Sequence, residues 1–251
     1  MKYLAFALMA LAATPAAAAD KRSGLAFVSP QTRALQEDDF ANPGMLWVSG
    51  GESLWDQSAG GARKSCTDCH NDARKSMRGV AARYPMFDQK TQKPIDLQGR
   101  INQCRTERQR ATPLPFESED LLSLSAYVAH QSRGMPVTPP RDARLSPFIK
   151  QGEAFYFQKI GQIDVSCSAC HDQRAGQRLS GNLIPEAHPT GYPIYRLEWQ
   201  NAGSLQRRLR GCMTAVRAEP YAYGSDEMIA LELYLMARAS GLLIETPGVR
   251  P

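Results

Sequence analysis

The chain is short of several things that would sort it quickly. Only 4 of its 251 residues are histidine. Its longest apolar run, Leu4 to Ala13, is 10 residues long, against the ~20 that a membrane-spanning helix needs. No basic run stands out, and the formal net charge is a modest +5, so a nucleic-acid partner is not expected. Few segments alternate β-branched with polar residues, and where a period is visible it is the helical one. These absences argue against a β-sandwich, a membrane protein and a nucleic-acid-binding module.

The apolar run at the start has an explanation of its own. Lys2 supplies a short positive beginning, Pro15 breaks the run, and Ala17 to Ala19 stand ahead of Asp20 as a small-residue cleavage site. That layout is a secretory signal over residues 1–19, and it places the remaining chain in the bacterial periplasm, soluble and without membrane insertion. Lys2 is the only charge in the signal, so the exported chain carries +4. Its length suits one large domain or two small ones.

Six cysteines in an exported chain first suggest three disulfides. Four of them sit in a tighter pattern. Cys66-Thr67-Asp68-Cys69-His70 and Cys167-Ser168-Ala169-Cys170-His171 both have the C-x-x-C-H spacing of covalent haem attachment. Two thiols on one helical turn add across the porphyrin vinyl groups, and the adjacent imidazole reaches the iron. A zinc ribbon would need further paired ligands, and a thioredoxin-like site has no use for the trailing histidine. Two covalently attached haem c groups are therefore expected, held by Cys66 and Cys69 with His70, and by Cys167 and Cys170 with His171.

The motifs lie 101 positions apart, and the likeness extends beyond them. Gly51 to Trp55 matches Gly152 to Tyr156 at that offset, and Tyr84 to Phe87 matches Tyr192 to Tyr195 at 108. Arg100 and Cys104 answer Arg208 and Cys212 at 108, and Ser118 to Gly134 answers Ser225 to Gly241 at 107. The drift implies a seven-residue insertion around Gly181 to Tyr192. The fold class expected is mostly α, with two tandem cytochrome c-like domains related by internal duplication: residues 20–135, a linker over 136–146, and 147–251. Each should open on an amphipathic helix, from Gly51 and over Pro147 to Ile160, and close on a long one capped by Ser118 or Ser225. Gly134 and Gly241 stand where C-cap glycines belong. Leu121, Leu124, Tyr127 and Val128, and likewise Met228, Leu231, Tyr234 and Leu235, form core stripes.

Cys104 and Cys212, equivalent in the two copies, fall where the distal ligand of each haem would come. A thiolate ligand at each iron is the reading the duplication favours. A Cys104–Cys212 disulfide competes with it, against the difficulty of bringing equivalent points of two domains within ~4.4–6.8 Å. Met86, His130 and Met135 lack counterparts in the other copy, His188 reads as a surface histidine in the insertion, and Met213 is the best substitute ligand in the second domain. Arg207, Arg208, Arg210 and Arg217 surround Cys212. Arg208 stands one helical turn before it, where a guanidinium holds an oxyanion and lowers the thiol's pKa.

With its paired C-x-x-C-H motifs, Ile101-Asn-Gln-Cys-Arg105 and Arg208-Leu-Arg-Gly-Cys-Met-Thr-Ala-Val-Arg-Ala-Glu219, the chain resembles the SoxA family, the dihaem subunits of SoxAX cytochromes in bacterial sulfur oxidation. The resemblance implies an L-cysteine S-thiosulfotransferase that pairs with the monohaem cytochrome SoxX. Such an enzyme joins thiosulfate oxidatively to a cysteine of the carrier SoxYZ and passes two electrons to haem. By position it implies Cys212 as the active-site cysteine, able to carry a persulfide, and Arg208 as the substrate-binding arginine. It also implies His70 and Cys104, and His171 and Cys212, as the axial ligands of the two irons. A plain electron carrier, a thiosulfate dehydrogenase and a dihaem peroxidase are the competing functions.

Overall fold

The computed structural model describes residues 21–251, so the expected secretory signal over 1–19 lies outside the described residues. The first half runs α1 (Pro30–Glu37), α2 (Met45–Asp56), α3 (Thr67–His70), α4 (Ala73–Ser76), β1 (Met86–Asp88), β2 (Lys93–Ile95), α5 (Leu97–Cys104) and α6 (Glu119–His130). The second runs α7 (Ser146–Phe157), α8 (Cys167–His171), β3 (Arg178–Leu179), β4 (Asn182–Leu183), β5 (Ile194–Arg196), β6 (Asn201–Gly203), α9 (Leu205–Ala215), α10 (Asp226–Arg238) and β7 (Gly248–Arg250). Helix predominates, as expected of cytochrome c-like domains.

The long terminal helices begin where their serines predict. Ser118 Oγ accepts the Leu121 N–H and Ser225 Oγ the Met228 N–H, both at 3.3 Å, and two acidic residues follow each cap, favourable at the positive end of the helix dipole. All eight residues of the two expected stripes are buried. One core joins Val48 and Trp55 of α2 to Tyr127 and Val128 of α6. Its counterpart joins Tyr156 of α7 to Leu231, Tyr234 and Leu235 of α10. A third, of Ala82, Val137, Met236, Ala239 and Ile244, spans the seam between the halves.

Three local expectations shift. α2 starts at Met45, because Asn42 Oδ1 accepts the Gly44 N–H at 2.9 Å and turns the chain into the helix early. α7 stops at Phe157, since Ile160 pairs with Val165 in a β-bridge. Gly134 (φ +77°) and Gly241 (φ +90°) lie beyond the helix caps, Gln131 and Ala239. Their N–H groups bond the carbonyls of Ile244 and Val137, at 2.9 Å each, so they tie the seam instead of ending the helices.

Residues 21–44, which sequence order puts with the first half, lie against the second. The Gln36 amide oxygen accepts the Val249 N–H at 2.9 Å, the Asn42 amide donates to the Pro247 carbonyl at 2.9 Å, and Arg22 pairs with Glu186 at 2.7 Å. β7 in turn completes a sheet of order β6-β5-β7, parallel to β5. The segment 136–146 is no loose tether either: Val137 is buried, and Thr138 donates its N–H to the Ala82 carbonyl at 2.8 Å.

Candidate functional site

The second half holds a cleft of about 430 Å³ lined by all four expected iron-site residues, Cys167, Cys170, His171 and Cys212, and by Arg208. α8 presents the first three. Ser166 Oγ caps it by accepting the Ala169 N–H at 3.2 Å. Behind it, Asp172 accepts from the Tyr156 hydroxyl at 2.8 Å and from Arg238 Nη2 at 2.6 Å. His171 Nδ1 lies 2.7 Å from the Pro185 carbonyl. Donation there fixes the tautomer and leaves Nε2 as the free, lone-pair nitrogen. Burial depresses the His171 pKa, with the Pro185 bond opposing, so the imidazole is neutral and able to ligate.

α9 supplies the facing wall. Ser204 Oγ caps it by accepting the Arg207 N–H at 3.0 Å, and the helix carries Arg208 and Cys212 one turn apart. Burial pushes the Cys167 thiol up to about 11, and the neighbouring charge of Cys212 adds to the effect. Burial also works against the Arg208 charge, but Cys212, Tyr192 and Glu198 outweigh it and hold the guanidinium above its usual range. Among the described residues the Arg208 side chain makes no hydrogen bond and no ion pair.

The other basic residues do not converge on Cys212. Arg207 stacks on Trp199 at 4.2 Å, and Arg210 stacks on Tyr223 at 4.6 Å while donating to the Tyr221 carbonyl. Arg217 is exposed past the end of α9. The cations that do line the cleft besides Arg208 are Arg196 and Arg250, neither of which the sequence singled out. Matching Arg196 to its counterpart 108 positions earlier would have drawn attention to it. His188 corrects another expectation: it is buried, with Nδ1 2.7 Å from the Arg22 carbonyl, because the N-terminal segment covers it. Met213 packs in the second core while lining the same cleft, and His130 lies against the Thr246 carbonyl.

In the first half Cys69, His70 and Cys104 line one groove, with Lys64, Glu107, Arg108 and Arg110. Cys66 packs on the first core, 3.9 Å from the Gln109 amide. Ser65 and Asp68 cap the turn reciprocally, Asp68 N–H to Ser65 Oγ at 3.1 Å and Ser65 N–H to the Asp68 carboxylate at 2.7 Å, the pattern of a capping box. Burial raises the Cys66 and Cys104 thiols. Cys104 ends α5 where the helix widens into a π turn over Arg105–Gln109. All six cysteines are free, so Cys104 and Cys212 are not joined. Each half thus gathers two thiols, an imidazole and an opposing thiol, and in the second the walls are largely apolar. That donor set fits covalent haem c, which the paired thiols would attach and whose iron the imidazole and the opposing thiol would hold.

A family description, SoxA/TsdA, cytochrome c domain, matches residues 50–137 and 151–244. The chain belongs to this family. Its cytochrome c domains carry covalently bound haem c. Among SoxA relatives, the L-cysteine S-thiosulfotransferase subunit SoxA of Pseudaminobacter salicylatoxidans is 38% identical over 229 residues, 91% of this chain and 80% of the relative. The protein of the same name from Rhodovulum sulfidophilum is 36% identical over 243 residues, 95% of this chain and 85% of the relative. The crystal structure of SoxXA from P. pantotrophus superposes with a TM-score of 0.88 at 34% identity, covering 92% of this chain and 87% of that one.

Proposed function

We propose that the chain is the SoxA-type subunit of a periplasmic L-cysteine S-thiosulfotransferase. It carries two haem c groups, pairs with a SoxX-type monohaem cytochrome, and conjugates thiosulfate to the cysteine of a SoxYZ carrier. The observation that carries this reading is the Arg208 guanidinium, partly buried, without a protein partner among the described residues, and one turn from Cys212. A guanidinium held in that state is an anion site awaiting its anion.

A Cys212 thiolate and the sulfane sulfur of thiosulfate form an S–S bond, releasing two electrons. Haem c, when bound, would supply ferric iron that accepts one electron per haem, so the pair would be shared between a haem of this chain and that of the partner cytochrome. A carrier thiolate then attacks the sulfane sulfur and breaks its bond to Cys212 Sγ, forming carrier–S–S–SO₃⁻ and returning the Cys212 thiolate. Arg208 binds the sulfonate end and orients the sulfane sulfur, which shortens the search for the reactive geometry. Tyr192, whose phenol burial pushes up despite the pull of Arg208, stays protonated and closes the cleft beside it.

Arg208→Ala removes a charge-assisted contact worth about 1.5–3 kcal/mol, so kcat/KM for thiosulfate should fall roughly 10- to 100-fold with the haem spectra intact. Unchanged kinetics would exclude Arg208 from substrate binding. Running the assay with and without SoxYZ separates transfer to a carrier from release of free tetrathionate.

A further inference from the structure

The two halves place matched residues around their cysteines but do not match the charges. Arg100 and Arg208 correspond at an offset of 108, each four residues ahead of its cysteine. In the first half Arg100 Nη2 lies 3.1 Å from Asp88 Oδ1, an ion pair whose carboxylate side chain is only 4% exposed. Asp88 is fixed there by the N–H and hydroxyl of Thr91, both at 2.9 Å. The residue 108 positions beyond Asp88 is Arg196, which ends β5 as Asp88 ends β1.

The arginine's neutralising partner has thus become a second arginine. Arg196 is buried, and its guanidinium lies 5.1 Å from the Trp199 ring centroid. Its Nη2 donates to Glu198 Oε2 at 2.9 Å, and Trp199 Nε1 donates to the other carboxylate oxygen at 3.0 Å. Among the described residues Glu198 is the one carboxylate whose charge reaches Arg208, and both of its oxygens are occupied. Arg196 therefore acts twice: it stands where the first half has a neutralising anion, and it engages the remaining acid nearby.

We propose that this difference between Asp88 and Arg196 is what confines dianion binding to the second site, making Arg196 a specificity-determining residue for thiosulfate. The inference rests on the thiosulfate reading above. A guanidinium in an ion pair offers an incoming dianion no net charge and a fork already engaged, whereas Arg208, unpaired in a cleft that Arg196 also lines, offers both. The first site keeps the cysteine and the arginine, but there the arginine is held by the Asp88 carboxylate and by the Gln103 amide oxygen.

The test uses the haem-loaded chain with its partner cytochrome and no carrier, titrated with thiosulfate by calorimetry. The wild type should bind one thiosulfate per chain. Arg196→Asp recreates the first site's pair with Arg208 and should weaken binding roughly tenfold or more. Arg196→Lys keeps the positive charge and should stay within about threefold of wild type. Asp88→Asn removes the carboxylate that neutralises Arg100 and should add a second, weaker thiosulfate per chain. That arm decides the matter if Arg196→Asp fails to load haem. The proposal is overturned if Arg196→Asp binds like wild type, or if Asp88→Asn still binds one. It is equally overturned if Arg196→Lys is as impaired as Arg196→Asp with a shifted second-haem potential, which would make Arg196 a packing or cofactor contact. A wild type that binds no thiosulfate would instead remove the function reading itself.

Discussion

Arg208 keeps its charge in a place where burial works against it, and the neighbouring Cys212, Tyr192 and Glu198 are what sustain it. The carboxylates packed at the seam, Asp96 buried and Glu232 partly so, show the opposite balance. Asp96 caps α5 by accepting the Gly99 N–H at 2.7 Å and accepts from the Gln206 amide of α9 at 2.8 Å. Burial pushes Glu232 of α10 up to about 8, and the charge of Asp96 adds to the shift. Because the folded state holds that proton above the unfolded carboxylate range, its stabilisation is complete below about pH 4.5 and is lost as pH rises towards about 8. Glu232→Gln mimics the protonated form. It should stabilise the fold by about 1–3 kcal/mol near pH 8.5 and by little near pH 5, measured by denaturant unfolding at both pH values; equal gains would contradict the assignment. At this scale much was legible in the sequence. The C-x-x-C-H residues, Cys104, Cys212 and Arg208 all declare themselves by spacing and repetition. Arg196 did not, because it stands out only when set against Asp88 at the 108 offset, where the residue type changes instead of repeating.

Among the elements, the α2–α6 and α7–α10 pairs set each half. Each pair crosses at a glycine: a Cβ on Gly51 would lie 2.1 Å from the Ser123 carbonyl oxygen, and one on Gly152 2.0 Å from that of Ala230. Both obstacles are backbone, so nothing can rotate aside. Gly152→Ala should cost at least about 1–3 kcal/mol, and because α7 and α10 wall the second cleft, it should lower haem occupancy there more than in the first half. A variant that melts and loads like wild type would show that the helices can separate freely. The helices and their serine caps were readable because 3.6-residue periodicity and capping are local. The sheets were not. Strands of two or three residues are too short to show alternation, and β7 owes its place to pairing with β5 and to Gln36, more than 200 positions away in the sequence.

Across the whole molecule, a duplicated unit has been made unequal. The second cleft is closed by additions that the first lacks, the hairpin β3–β4 and the N-terminal segment, since Leu179, Asn182, Gly24 and Phe27 all line it. The seam joins the halves firmly, through a buried core, the Asp96–Gln206 bond and the Lys93–Asp226 pair at 2.5 Å. The duplication was legible from the offsets of 101 to 108. The reach of residues 21–44 onto the second half was not, because those contacts are single long-range bonds with no sequence pattern. The asymmetry predicts that sulfur chemistry falls on Cys212 and not on Cys104. The most direct test is non-reducing peptide mass spectrometry of the haem-loaded protein after exposure to thiosulfate. The account predicts a Cys212 peptide carrying added sulfur, as a persulfide or a thiosulfonate, with Cys104 unmodified. An unmodified Cys212 in protein that is turning over, or a Cys212 peptide linked to Cys104, would contradict it.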